Sequence, residues 1–368
     1  MRHRFAFVLE QTLGHVAHAR NIERALALEP DIDGTIIRLE NEPSRGLSSW
    51  PGVGTWSFRA SWAARRALLE RLRSGRLDAV FIHTQVASLL AADLMRVVPT
   101  VVSLDATPVN FVDLGAAYGH RRQAKLVETV KRRINRVAFD SARILVTWCR
   151  WAAESLERDY GVPAGKTRVV HPGVDLDLFK PATEPSSSGA LRLLFVGGNF
   201  ERKGGYDLLE AVRGFDADTI ELDIVTGDRV DADTHIPCRT HYGLRPQSSE
   251  LVDLYRRADV LVLPTRGDCF PQVIAEALAC RLPIVAANVG GIPEMVRPGV
   301  NGWLVSPGSP RDLARALESV VADPGLRHRF GDASLALARA QHDAFRNNRS
   351  LFEAMANLAG APARSAVA

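Results

Sequence analysis

The chain has 368 residues, more than the ~250–300 at which a single hydrophobic core stops growing, so two domains of roughly 150–200 residues each are expected. Apolar residues make up 46% and charged residues 24%, the values of an ordinary globular protein, which exclude a low-complexity chain. The net charge of +4 is too mild to name a partner, and anionic substrates, acidic membrane surfaces and nucleic acids all stay open.

From the N-terminus, the first apolar run is Phe5–Leu9, too short for a secretory signal. No stretch approaches the ~18 apolar residues of a membrane-spanning helix. Leu9–Leu26 then places Gly14 and His15 in the loop between a first strand and a helix. Gly14 is a candidate for close approach to a ligand. His15 and His18 are three apart, but no third residue completes a metal site. Further buried strands are predicted at Ala79–His83, Thr100–Leu104 and Ile144–Thr147, short Val/Ile/Leu-rich runs of the kind covered on both faces. His83 and Asp105 each end a predicted strand, where clefts form in such sheets. Asp105 is either an acceptor-orienting acid or a turn former before Thr107–Pro108. The segment 121–143 holds Arg121, Arg122, Lys125, Lys131, Arg132, Arg133, Arg136 and Arg143 against Glu128 and Asp140. It reads as a basic amphipathic helix that would rest on an anionic membrane, meet a lipid-linked phosphate acceptor, or present a solvated face. GVPAGKT at 161–167 is one residue short of a phosphate-binding loop and follows a helical pattern instead of a strand.

Lys180–Gly189, KPATEPSSSG, is read as the linker. The expected domains are 1–175, with a C-terminal helix in 344–368 packing back on it, and 176–343. After the linker, strands are predicted at Leu191–Val196, Ile220–Val225, Val260–Pro264, Pro283–Ala286 and Gly302–Val305. Amphipathic helices at Asp207–Phe215, Ser249–Arg257 and Pro310–Ala322 lie between them. This alternation predicts an α/β chain of two doubly wound, Rossmann-like domains facing each other across a cleft. The last helix, Ala344–Leu358, carries Leu351, Phe352, Met355 and Leu358 on one side. Four cysteines form no C-x-x-C pair, as expected of thiols in a reducing cytoplasm.

The most informative stretch is 259–305. Thr265–Phe270 is a turn holding Asp268, and Pro271 suits the first turn of a helix that continues over Gln272–Cys280. Free N–H groups at Gln272 and Val273 and the helix dipole would make an anion site. Asp268 in the loop and Glu276 within the helix could hold hydroxyls at opposite ends of one extended ligand, or be a solvated loop acid and a helix-surface acid. Phe195–Gly205, FVGGNFERKGG, is a second strand-to-helix loop, rich in glycine and carrying Arg202 and Lys203. Cations there can neutralise a leaving diphosphate.

The spacing of Asp268 and Glu276 resembles the E-x7-E motif of the retaining glycosyltransferases of family 4, also called group 1, with the GT-B fold. ADVLVLPT, FPQVIAEALAC, LPIVAANVGGIPEMV and NGWLV around it are similar to that family too. The resemblance runs from about 138 to 330. It implies that Asp268 binds the transferred sugar and Glu276 the nucleotide ribose, with Phe270, Gln272 and Val273 at the same site. It implies that Lys203 holds the diphosphate. The family's loop arginine would fall on Gly198, so Arg202 either replaces it or is a surface charge. The first acid is Asp where the family usually has Glu, one methylene shorter. Many relatives carry a His facing the reacting carbon near the place of Asp105.

The resemblance further implies a retaining transfer from a nucleoside diphosphate sugar, UDP- or GDP-linked, to a hydroxyl acceptor such as a glycan, a glycolipid or a small molecule. No permanent cofactor, metal or nucleic acid is expected, and the expected location is the cytoplasm or the inner membrane face. Two other readings keep a place. One is a sugar-nucleotide epimerase or phosphorylase on this architecture, which would isomerise donor without acceptor. The other is a non-catalytic binder of anionic ligands, which would turn over no sugar nucleotide.

Overall fold

The computed structural model describes residues 2–12, 14–40, 56–119, 124–182 and 189–360. Arg121 and Arg122 of the basic segment, 183–188 of the expected linker and 361–368 of the C-terminal segment lie outside the described residues. The chain divides into two compact units. Met1–Phe111, Arg122–Pro172 and Ala344–Ala368 form the first, and Val112–Arg121 with Gly173–Asp343 the second. The division thus differs from 1–175 and 176–343 in giving Val112–Arg121 and residues 173–175 to the second unit.

In the first unit, strands β1 (His3–Glu10), β2 (Ile32–Leu39), β3 (Ala79–His83), β4 (Thr100–Leu104), β5 (Ile144–Thr147) and β6 (Thr167–Val169) form a sheet. Its order is β2-β1-β3-β4-β5-β6, with every neighbouring pair parallel. Successive side chains go to opposite faces, and both faces are covered. Phe5, Phe7 and Leu9 join Phe81, Val101 and Val146 on one face. Ala6 and Val8 join Ile82, Val102 and Leu104 on the other. That is why the central strands read as unbroken apolar runs. The helix Ala344–Ala359 supplies Leu351, Phe352 and Met355 to the first of these cores, with the Phe352 ring edge-on to Phe7 at 5.6 Å.

The second unit repeats the plan. Strands β7 (Leu191–Val196), β8 (Ile220–Thr226), β9 (Cys238–Tyr242), β10 (Val260–Leu263), β11 (Ile284–Ala287) and β12 (Gly302–Val305) are ordered β12-β11-β10-β7-β8-β9, again all parallel. The strand order reverses between β7 and β10 here, and between β1 and β3 in the first unit. At such points the loops leaving the strands diverge to opposite faces and open a crevice at the C-terminal edge.

β2, β6 and β9 were not expected from the sequence. All three are outermost strands. IDGTIIRL, TRV and CRTHY are largely half-exposed or exposed, so they lack the continuous apolar run of a strand buried on both faces. At the junction, Gly173 adopts φ +68, and the Asp175 carboxylate accepts from the N–H groups of Asp177 (2.9 Å) and Leu178 (3.2 Å), which turns the chain. GVPAGKT forms no phosphate loop. Gly161 caps the preceding helix in the left-handed region, and the rest leads through a single 3-10 turn into β6.

Candidate functional site

The crevice of the second unit is built from the loops after β7 and β10. They are stitched together by backbone contacts. The Arg266 N–H donates to the Arg202 carbonyl at 2.8 Å, and the Thr265 hydroxyl donates to the same oxygen at 3.2 Å. Gly204 is in the left-handed region (φ +79), and a Cβ there would lie 2.1 Å from the Pro264 carbonyl oxygen. Only glycine permits both the dihedral and the approach.

Lys203 and Asp268 meet across this seam as an ion pair whose side chains are 13% and 11% exposed. The lysine stem is laid against Gly197, where a Cβ would stand 2.7 Å from the Lys203 Cγ. Arg202 donates to the Gly267 carbonyl at 2.8 Å, and its guanidinium lies 4.5 Å from the centre of the Tyr118 ring. It therefore braces the loop that carries Asp268. From below, Gly290 (φ +59) packs where a Cβ would be 2.1 Å from the Asp268 carbonyl oxygen, and the Gly291 N–H donates to Cys269 at 2.7 Å.

The helix Gln272–Ala279 starts immediately beyond. Pro271 is not its first helical residue, as expected, but its cap: the backbone there is extended (φ −71, ψ 118), and no side chain caps the N–H groups. Gln272 is 7% exposed, and its Nε2 is buried with no hydrogen-bond partner. An orphaned buried donor is costly, and together with the uncapped helix start it suits an acceptor-rich, anionic ligand. Val273 is half-buried and Phe270 buried, the latter's ring 6.0 Å from that of His342. Glu276 is 4% exposed and accepts from the Tyr255 hydroxyl at 2.7 Å. Burial pushes its carboxyl up to about 7, against the lowering effect of the tyrosine bond. Gly198 is exposed, has open space where a Cβ would stand, and accepts from Gly227 at 3.2 Å. The crowded glycine of that pair is Gly197.

So the structure gathers Lys203, Arg202, Asp268, Gln272 and Glu276 in one unit, around two adjoining loops and one helix. Gly14 and Asp105 belong to the first unit. Gly14 precedes the helix His15–Leu26 with right-handed dihedrals, and Asp105 is half-buried just past β4. At that unit's own switch point, His83 and His15 share a hydrogen bond of 2.8 Å between Nε2 and Nδ1. Trp148 stacks on His83 at 5.1 Å and 9°, and His18 stands edge-on to both. Burial, then the charge of His15, lowers His18 to about 3, and burial also holds His83 well below its usual range. Both rings are neutral at pH 7. The sequence pointed to His15 and His18 as a pair three residues apart, and to His83 separately. Trp148, which joins them, follows β5 and carried no signal of its own. Nor did Tyr255 or Gly197. Among the described residues, no group of three or more His, Cys, Asp or Glu could hold a metal ion, and no helix is long and apolar enough to cross a membrane.

Comparison with known proteins bears on the family and the fold. Residues 16–178 match the sequence model of Glycosyltransferase Family 4, and residues 190–323 that of Glycosyl transferases group 1. The chain belongs to the group 1 glycosyltransferases. Curated relatives include the D-inositol 3-phosphate glycosyltransferase of Streptomyces bingchenggensis, 36% identical over 50% of this chain and 46% of that one. Another is the D-inositol 3-phosphate glycosyltransferase of Paenarthrobacter aurescens, 28% identical over 86% of each. The chain spans about half the length of the first such relatives it matches. Among solved structures, sucrose-phosphate synthase from Thermosynechococcus elongatus superposes with a TM-score of 0.77 at 18% identity, covering 97% of this chain and 99% of that one. Anabaena HepE in complex with UDP gives 0.71 at 17%, covering 96% and 100%. At such identities the likeness concerns the fold, which is the GT-B fold of this group 1 member.

Proposed function

We propose that the protein moves a sugar from a nucleoside diphosphate sugar to a hydroxyl acceptor, with retention at the anomeric carbon. The observation that carries this reading is the Lys203–Asp268 pair, held beside an uncapped helix start by glycine-tight loops. A diphosphate bound there competes for the Lys203 ammonium and offers it two anionic groups in place of one. Asp268 is then released to accept sugar hydroxyls. Gln272, Val273 and the helix dipole complete the stabilisation of the departing diphosphate, with Phe270 packing beneath them. Glu276, about one turn along, accepts the ribose hydroxyls. Gly198 and Arg202 flank the phosphates.

UDP and GDP are the nucleotides to try first, and HepE was solved with UDP. The relatives' names make a phosphorylated cyclitol a first acceptor to test. A lipid-linked acceptor would place the protein at the inner membrane face. Basic groups and N–H donors carry the charge in this scheme, so it calls for no metal.

Purified protein incubated with UDP- and GDP-sugars and acceptor should release nucleoside diphosphate, and the product's anomeric configuration, read by NMR, should match the donor's. Lys203→Ala should lower turnover by on the order of a hundredfold or more. Full donor-induced thermal stabilisation of Lys203→Ala would show that the site is misplaced. Donor isomerised without acceptor would favour an epimerase instead.

A further inference from the structure

The helix Lys125–Ser141 has a face that the first unit leaves uncovered. At about 100° per residue, Leu126, Val127, Val130, Ile134 and Val137 fall within one arc. All five are exposed, Leu126 at 75%. Of the buried residues, Asn135 and Phe139 lie on the opposite side, while Ala138 and Ser141, near the helix's C-terminal end, border or enter the arc. Cations border the arc on both flanks, Lys131 on one and Arg133 with Arg136 on the other. The helix's two acids are already paired, Glu128 with Lys131 at 4.0 Å and Asp140 with Arg136 at 2.9 Å. Beside the Arg133–Arg136 flank is a groove of about 460 Å³ lined by Arg132, Arg133, Arg136, Arg158 and Tyr160. Arg132 lies 5.7 Å from the centre of the Tyr160 ring, and Asp159 in the groove wall pairs with Arg158 at 2.7 Å.

We propose that this surface docks on a bilayer of anionic phospholipid, with the aliphatic arc entering the headgroup boundary and the arginine groove taking lipid phosphates. Five exposed aliphatic side chains on one helix face are unusual unless something covers them. The cations on both flanks select what does. A second copy of this chain, related by a two-fold axis, would set arginine against arginine. A nucleic acid would engage the arginines but leave the arc in water, and the arc carries no aromatic ring for base stacking. An interfacial helix needs both features at once, apolar residues for depth and cations for the anionic surface.

The inference stands apart from the sugar-transfer reading, because it is tested without donor. The full chain is sedimented with vesicles of phosphatidylcholine alone and with vesicles that also contain phosphatidylglycerol. Binding is expected only to the second kind and should weaken as salt is raised. The double variant Arg132→Ala, Arg133→Ala should lose on the order of 25-fold in vesicle affinity, about fivefold per cation. Ile134→Asp and, separately, Val130→Ser should each weaken it while keeping the wild-type melting temperature, since both sites are exposed. Equal binding to both kinds of vesicle, or unchanged binding by Ile134→Asp, overturns the proposal. So does a dimer in solution that Ile134→Asp dissociates, or salt-sensitive RNA binding without vesicle binding.

Discussion

Glu276, the acid proposed to hold the donor's ribose, also bears on stability. Its carboxyl is raised from 4.5 to about 7 by burial. Below pH 4.5 the folded and unfolded chains both carry the proton. Between there and pH 7 the unfolded chain ionises while the buried group holds on, so the folded state loses an advantage as pH rises. Glu276→Gln removes that loss and keeps an acceptor for Tyr255. Denaturant unfolding should therefore find the variant more stable by a few kcal/mol at about pH 8 and no different at about pH 4, even as donor affinity falls. Tyr255→Phe acts in the opposite sense. The hydroxyl favours the ionised carboxylate, so its loss should raise the donor KM near pH 7 and move the pH at which affinity recovers upward, with kcat little changed. The Cys280 thiol, which is itself pushed up to about 12 by burial and by Glu276, faces the same carboxylate. Cys280→Ser is the control that should leave the donor's pH dependence nearly in place.

At the scale of loops and strands, two adjacent glycines separate what is crowded from what is open. Gly197→Ala would drive a methyl into the Lys203 stem, whereas Gly198→Ala points into open space. Melting curves of the ligand-free proteins should show the first destabilised and the second unchanged. Gly290→Ala should behave like the first, because a left-handed dihedral and a clash with the Asp268 carbonyl coincide there; the backbone cost alone is about 1–3 kcal/mol. The sequence made the lysine, the acids and the helix legible because the candidate site's residues lie within two short segments, each bounded by an apolar strand. It could not rank Gly197 above Gly198, because crowding depends on where the lysine stem lies. It also could not reveal the His15, His83 and Trp148 cluster, whose members, the first residue of the helix after β1, the last residue of β3 and the residue just past β5, are brought together by the pairing of β1 with β3, β3 with β4 and β4 with β5. The missed edge strands fail for a similar reason: a strand half in water has no pattern that sets it apart from a loop.

For the whole chain, the first unit is built from both ends of the sequence. The face of its sheet that holds Phe5, Phe7 and Phe81 is closed by Phe352 and Met355. Phe352→Ala should destabilise that unit by roughly 3–5 kcal/mol, read in calorimetry as an earlier transition for the first unit while that of the second stays in place. The sequence anticipated a returning helix from its apolar side, and strand–helix alternation anticipated both sheets. The return of the chain also sets a timetable for synthesis. Residues of the second unit leave the ribosome before the helix Ala344–Ala359 does, so of the two units the one begun earlier is finished later. Until then its phenylalanine-lined sheet face stays open to chaperones, and a stop codon anywhere before residue 344 would leave it so.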